Sequence, residues 1–212
     1  MKFSLLHASA RFIDMDNSVA RHWKENCSPD NEVEYILNNN PKDAVTAWNE
    51  AAKESTGDVL IQLSDDFACP KDWDKQILEA FERWTAQRIA RGQVKNVEPL
   101  KNQIVLCVND CNTVNPAFNL TLAIMTRARY EAQGCLIFPE YASMFSDDDL
   151  RAWAVQDDCL CMRADLKFPH SWLGNDHDDV AKAHAAKERF DAGALILARR
   201  KKEGFKPWPQ ST

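Results

Sequence analysis

A chain of 212 residues, 45% hydrophobic and 27% charged, has room for one α/β domain with a sizeable core, or at most two small ones. Its formal net charge of -6 gives no general electrostatic pull towards phosphate backbones or anionic membranes. No stretch approaches the roughly 18 apolar residues a spanning helix needs, and Met1-Lys2-Phe3-Ser4-Leu5-Leu6-His7 turns polar too early for a signal peptide.

Residues 3–7 read as a first strand and residues 33–37 as a second, with a short helix over 19–25 carrying Trp23 between them. Asn38-Asn39-Asn40-Pro41 breaks the pattern, because Asn favours turns and Pro restricts the residue before it. Residues 44–55, rich in Ala, Glu and Lys, predict a helix ended by Gly57. The apolar run Val59-Leu60-Ile61-Gln62-Leu63 predicts a buried strand and leads directly into Ser64-Asp65-Asp66-Phe67. Strand-helix-strand-helix-strand is the pattern of a doubly wound parallel sheet. Adjacent carboxylates at the C-terminal end of such a strand sit where open sheets place ligands. Two hard oxygen donors there can hold a divalent cation, and a cation can hold a diphosphate. A turn whose Asp caps the next element is the alternative reading of the same pair.

Residues 73–91 predict a longer amphipathic helix with Ile77, Leu78, Phe81 and Trp84 on one side. A polar loop over 92–102 follows, then a strand over 104–108, an irregular stretch over 109–119, a further strand over 121–125 and a helical turn over 129–133 before Gly134. Residues 149–155 predict a helix, for which Ser146 and Asp149 fit a capping box, and residues 159–162 a strand. A long C-terminal helix is expected over 180–202, stopped by Gly204 and Pro207. Its end, Arg199-Arg200-Lys201-Lys202, reads as a solvated run that suits the helix dipole. Asp176, His177, Asp178 and Asp179 read as a cap for that helix, with His177 as a rival metal ligand. The seven cysteines are odd in number, scattered and without a C-x-x-C pair. They read as small core residues in a reducing compartment, so a cytoplasmic location is expected. With no repeat, low-complexity tract or linker, residues 1–212 form one expected domain.

Four stretches, in this order, resemble the nucleotide-sugar-dependent family 2 glycosyltransferases with the GT-A fold. Phe3-Ser4-Leu5-Leu6-His7-Ala8-Ser9-Ala10-Arg11 is similar to the family's first strand and the loop beneath the nucleotide. Ala47-Trp48-Asn49-Glu50-Ala51-Ala52, continuing through Gly57 to Asp66, is similar to the helix and strand leading into the metal-binding D-x-D region. Phe145-Ser146-Asp147-Asp148-Asp149-Leu150 is similar to the E-D-x-D-L segment that holds the catalytic base. Phe168-Pro169-His170 is similar to the late histidine segment that often completes the metal site. The resemblance spans residues 3–205. It implies an α/β, Rossmann-like three-layer sandwich with a mostly parallel central sheet. The activity it implies is an inverting, metal-dependent transfer of a sugar from a nucleoside diphosphate sugar to an acceptor hydroxyl. There are two departures from the family: Asn38, Asn39 and Asn40 stand where an acidic residue often grips base and ribose, and Ser146 replaces the Glu of E-D-x-D-L.

For the site, the resemblance implies Asp66 as first ligand of Mn²⁺ or Mg²⁺, Asp65 as second ligand or ribose contact, and His170 as third. It implies Asp147 as general base, with Asp149 supporting it or orienting the acceptor. His7, Ser9, Arg11, Asn39, Asn49 and Arg127 fall on the nucleotide-sugar side, Arg127 being as readable as a surface salt bridge. The chemistry asks for these residue types. A departing diphosphate gathers negative charge that a cation neutralises, and oxygen-rich coordination with one imidazole is tolerable for Mn²⁺. The incoming hydroxyl must lose a proton, and the like charges of Asp147-Asp148-Asp149 raise at least one pKa towards that task. By resemblance the donor is a UDP-sugar. The acceptor is a glycan or other hydroxyl compound, or a modified DNA base, in a bacterial or phage-infected host cytoplasm. A metal-dependent nucleotidyltransferase or phosphohydrolase is the alternative, weakened because Ser9-Ala10-Arg11-Phe12 has no glycine for a phosphate loop. A non-catalytic nucleotide-binding domain would leave Asp65, Asp66 and Asp147 without a joint role.

Overall fold

Strands buried along their whole length need cover on both faces of their sheet, and this chain supplies it. The computed structural model describes residues 1–9, 18–39, 42–111, 120–170 and 186–209. Its elements are β1 (Lys2–Ala8), α1 (Ser18–Glu25), β2 (Glu32–Asn38), α2 (Ala44–Glu54), β3 (Val59–Leu63) and α3 (Trp73–Ala90). After a short 3₁₀ turn (Pro99–Lys101) come β4 (Val105–Asn109), β5 (Ile124–Thr126), α4 (Arg127–Gln133), α5 (Ser146–Gln156), β6 (Leu160–Lys167) and α6, spanning Lys187–Glu203.

Side chains alternate across a strand, and the alternation sorts the core into two halves. Phe3, Leu5, Val59, Ile61, Leu106 and Val108 face Trp23 of α1 and Trp73, Ile77, Phe81 and Trp84 of α3. Leu6, Leu60, Val105 and Cys107 face Val45, Ala51 and Ala52 of α2, Leu150 and Trp153 of α5, and Leu197 of α6. The result is a three-layer α/β sandwich. The strand order is β2-β1-β3-β5-β4-β6, with every pairing parallel except those of β5.

The antiparallel strand shapes the edge where the parallel strands end. β5 starts at Ile124, not 121, and pairs only with Val59 to Ile61 and with Val105 and Leu106. Beyond those residues no strand among the described residues stands between β3 and β4. β6, expected to stop at 162, runs on to Lys167 with a bulge: Val108 is opposite Arg163, and Asn109 is opposite Lys167. The extra residues carry the chain across the gap. There the Phe168 N–H donates to the Asn109 carbonyl, the His170 N–H to the Asp110 carbonyl and the Ala68 N–H to the Pro169 carbonyl, each at 2.8 Å. Phe67 and His170 form an antiparallel bridge.

Three local expectations change. Gly57 does not cap α2, which ends at Ser55; a Cβ at Gly57 would lie 2.3 Å from Ser4 Oγ and 2.8 Å from Ser4 N, so close backbone packing requires the glycine. Helix α4 starts at Arg127, ahead of the expected 129, capped by Thr126, whose hydroxyl accepts from the Arg129 N–H at 3.3 Å. The C-terminal helix is described from Lys187 and is ended by Gly204 at φ 77; the first part of its expected span, with Asp176, His177, Asp178 and Asp179, lies outside the described residues. All seven cysteines are free thiols and five are buried. Burial pushes Cys135 up to about 12, which suits core packing and not reactivity. Among the described residues no helix is long and apolar enough to cross a membrane.

Candidate active site

Parallel strands deliver their C-terminal ends to one edge, and that edge gathers most of the polar residues singled out above. The end of β3 is pinned by the Trp48 indole N–H, which donates to the Leu63 carbonyl at 2.8 Å. Beyond it Asp65 turns towards β1. Its Oδ1 accepts from His7 Nε2 at 2.7 Å and its Oδ2 from the Ser9 hydroxyl at 3.0 Å. His7 is fully buried, and its Nδ1 lies 2.5 Å from the Tyr35 hydroxyl of β2. An ionised carboxylate only accepts, so Nε2 carries the proton, and in the neutral ring Nδ1 accepts from Tyr35. Asn39 is exposed at the exit of β2. Arg11 lies outside the described residues.

Asp66 turns the other way. Its Oδ1 accepts from the Ser64 hydroxyl at 2.7 Å and its Oδ2 from His170 Nε2 at 2.9 Å. The His170 ring stacks on Phe67, with centroids 4.2 Å apart and planes 11° from parallel. Burial raises the Asp66 carboxyl, but the bonds from His170 and Ser64 outweigh it and hold the group below its ordinary value. Of the three expected ligands, Asp66 and His170 therefore stand together and Asp65 apart. Asp65 faces His7 and Ser9, and among the described residues no three His, Cys, Asp or Glu side chains converge as metal ligands.

The next parallel strand, β4, brings a carboxylate that sequence reasoning missed. Asp110, buried at 3% exposure, follows β4 as Asp65 and Asp66 follow β3, and accepts from the Thr121 hydroxyl at 2.8 Å. The same signal, an acidic residue directly after a buried apolar strand, was available for it. Asp147 stands half-buried in the first turn of α5. Burial, and then the charges of Asp148 and Asp110, push its carboxyl above its ordinary value. That shift is in the direction a general base needs.

Other expectations are corrected. Asp149 does not reach towards an acceptor: it is 1% exposed and its carboxylate is held by Arg200 at 3.0 and 3.2 Å and by the Tyr141 hydroxyl at 3.0 Å. No capping box forms with Ser146, because Phe145 at φ 69 is the N-cap and makes no side-chain cap bond. Arg200, expected in a solvated run, is 2% exposed, whereas Arg199, Lys201 and Lys202 are exposed. Asn49 is a buried brace: its Nδ2 donates to the Ile137 carbonyl at 2.7 Å, and its Oδ1 accepts from the N–H groups of Leu136 and Ile137 at 2.8 and 3.2 Å. Arg127 is at the wrong edge. Thr126 pairs with Val59, the first residue of β3, and the extended chain from there to Asp65 covers about 20 Å. Arg127 donates instead to the Gly57 carbonyl at 3.0 Å and the Ser55 hydroxyl at 2.8 Å.

Comparison with known proteins agrees with this layout. The family model described as glycosyl transferase family 2 matches residues 14–153. No curated protein matches the chain. Among the solved structures that do, the crystal structure of S. aureus TarS is 14% identical with a TM-score of 0.50, and the match covers 97% of this chain and 44% of TarS. At that identity the likeness speaks for the fold, and this chain spans less than half the length of TarS.

Proposed function

The chain belongs to glycosyl transferase family 2, and on that premise we propose that it moves a sugar from a nucleoside diphosphate sugar to an acceptor hydroxyl with inversion at the anomeric carbon. One observation carries the reading. The Asp66–His170 pair and the raised-pKa Asp147 meet on the same C-terminal sheet edge, linked through Asp110, whose carbonyl accepts from the His170 N–H. A carboxylate and an imidazole 2.9 Å apart fit Mn²⁺ or Mg²⁺ as two protein ligands, leaving room for the diphosphate oxygens such ions usually take. When bound there, the ion neutralises charge gathering on the leaving diphosphate. Asp65, held by His7 and Ser9, keeps unused lone pairs for a ribose hydroxyl. Asp147 takes the proton of the acceptor hydroxyl, and its neighbours Asp148 and Asp110 keep its proton affinity high enough to do so.

This reading takes residues 1–212 as one catalytic domain, supported by a single sheet whose strands run from Lys2 to Lys167. It places the enzyme in the cytoplasm, with a UDP-sugar as first donor to try. The acceptor is a glycan, another hydroxyl compound or a modified DNA base. Incubation with labelled UDP-sugars and Mn²⁺ tests it. Metal-dependent release of UDP is expected; no turnover of any nucleoside diphosphate sugar, or full turnover in excess chelator, overturns it.

A further inference from the structure

Helix α6 begins beyond residue 153, where the family match ends, yet it grips the turn that presents Asp147. Arg200 places its Nε and Nη2 on the two oxygens of Asp149, two residues from Asp147. Its Nη1 donates to the Lys206 carbonyl at 2.7 Å. The rings of Phe138, Trp153 and Phe205 surround the guanidinium at 3.7, 4.6 and 5.4 Å. Two turns of α6 further back, the backbone itself touches: a Cβ on Gly193 would lie 2.5 Å from the Met144 carbonyl oxygen and 3.0 Å from Phe145 Cδ2. Phe190 then packs edge-on against Phe145, with centroids 4.8 Å apart.

Stability alone is a poor reason for the ion pair. Two desolvated charges often do no better than apolar side chains of similar volume. A planar fork on both carboxylate oxygens supplies what apolar packing lacks, a fixed direction. We propose that Arg200 is a positioning residue: acting through Asp149, and seconded by Gly193 and Phe190, it sets the first turn of α5 so that Asp147 faces the acceptor. The proposal rests on Asp147 being the base.

The test compares wild type with three variants: Arg200→Met combined with Asp149→Leu, Arg200→Lys, and Phe190→Ala. The first removes both charges together and so leaves no unpaired buried charge; the second keeps charge but loses the fork. Each is measured for thermal melting, for UDP binding in Mn²⁺ by calorimetry, and for kcat and KM of UDP release from the UDP-sugar the wild type turns over. The double variant is expected to melt cooperatively and to bind UDP as the wild type does. Its kcat should fall roughly 10- to 100-fold at little-changed KM, the scale of a slightly misplaced catalytic group. Arg200→Lys should lie between it and wild type, and Phe190→Ala should lower kcat without moving KM. Wild-type kcat in the folded double variant overturns the proposal, as does a kcat loss that only follows lost UDP affinity. If the double variant does not fold, unchanged kcat in both Arg200→Lys and Phe190→Ala overturns it. A wild type without turnover overturns the glycosyltransferase reading itself, whereas an active wild type with indifferent variants leaves that reading standing.

Discussion

At Asp147 the fold and the chemistry make opposite demands. Its carboxyl is raised by burial and by the charges of Asp148 and Asp110, so it binds its proton more tightly folded than unfolded. Such a group favours the fold at low pH, and that contribution is lost as pH rises through the folded pKa. Above the unfolded pKa the group costs stability relative to acid. Asp147→Asn should therefore raise the melting temperature at neutral pH, by an amount that shrinks towards zero in acid. The same change should cut turnover about 10²–10⁴-fold while UDP affinity stays nearly intact. Melting curves and steady-state kinetics on one preparation check both halves, and a fully active variant would remove Asp147 from the site. Asp66 has the opposite sign: held below its ordinary value, it stabilises above the unfolded pKa and loses that contribution as pH falls through the folded one. Asp66→Asn or His170→Ala should weaken Mn²⁺-supported UDP binding by roughly 10-fold or more. Equal calorimetric affinities with and without the substitutions would show that the pair holds no metal. As candidates, Asp66, Asp147 and His170 were legible because each stands in a recognisable run. The roles of Asn49, Asp149 and Arg200 were not, because their partners are 87, 51 and 51 residues away in the chain and periodicity carries no such pairing.

Between elements, Gly193 sets how closely α6 can approach the base-bearing turn. In an exposed helix, Gly→Ala would stabilise by about 1 kcal/mol through propensity alone. Here the new Cβ meets a backbone oxygen, Met144 O at 2.5 Å, and not the end of a flexible side chain. Overpacking of that kind costs typically 1–3 kcal/mol, so the net effect of Gly193→Ala should be a lower melting temperature. Because the displaced atoms belong to the turn before Asp147, kcat should fall as well. A melting temperature above wild type would mean that the turn yields freely. The existence and type of most elements were legible, since two-sided burial writes itself as apolar runs at 3–7, 59–63 and 104–108 and as Trp-bearing helices at 19–25 and 73–91. What those runs could not carry was the direction of β5 or the bulge in β6. Strand polarity and register follow from which neighbour a strand finds, and a short run such as Ile124 to Thr126 looks the same either way.

For the molecule as a whole, the decisive geometry is the spacing of strand exits. β3 delivers Asp66 and β4 delivers Asp110, beside which Asp147 stands, and the strand order puts β5 between them. Two interstrand spacings make about 10 Å, and the Phe168–Pro169–His170 segment bridges that interval with its backbone. On the proposed reading, a diphosphate held at the β3 exit and a base at the β4 exit take the sugar ring and the incoming hydroxyl between them. On the same reading the acceptor attacks in a single displacement, with Asp147 deprotonating it and no ester formed to the enzyme. An α-linked UDP-sugar should accordingly give a β-linked product. The anomeric proton coupling of the product, read by NMR, decides it, and an α-linked product or a sugar-modified aspartate found by mass spectrometry would assign Asp147 the role of nucleophile or remove it from the chemistry.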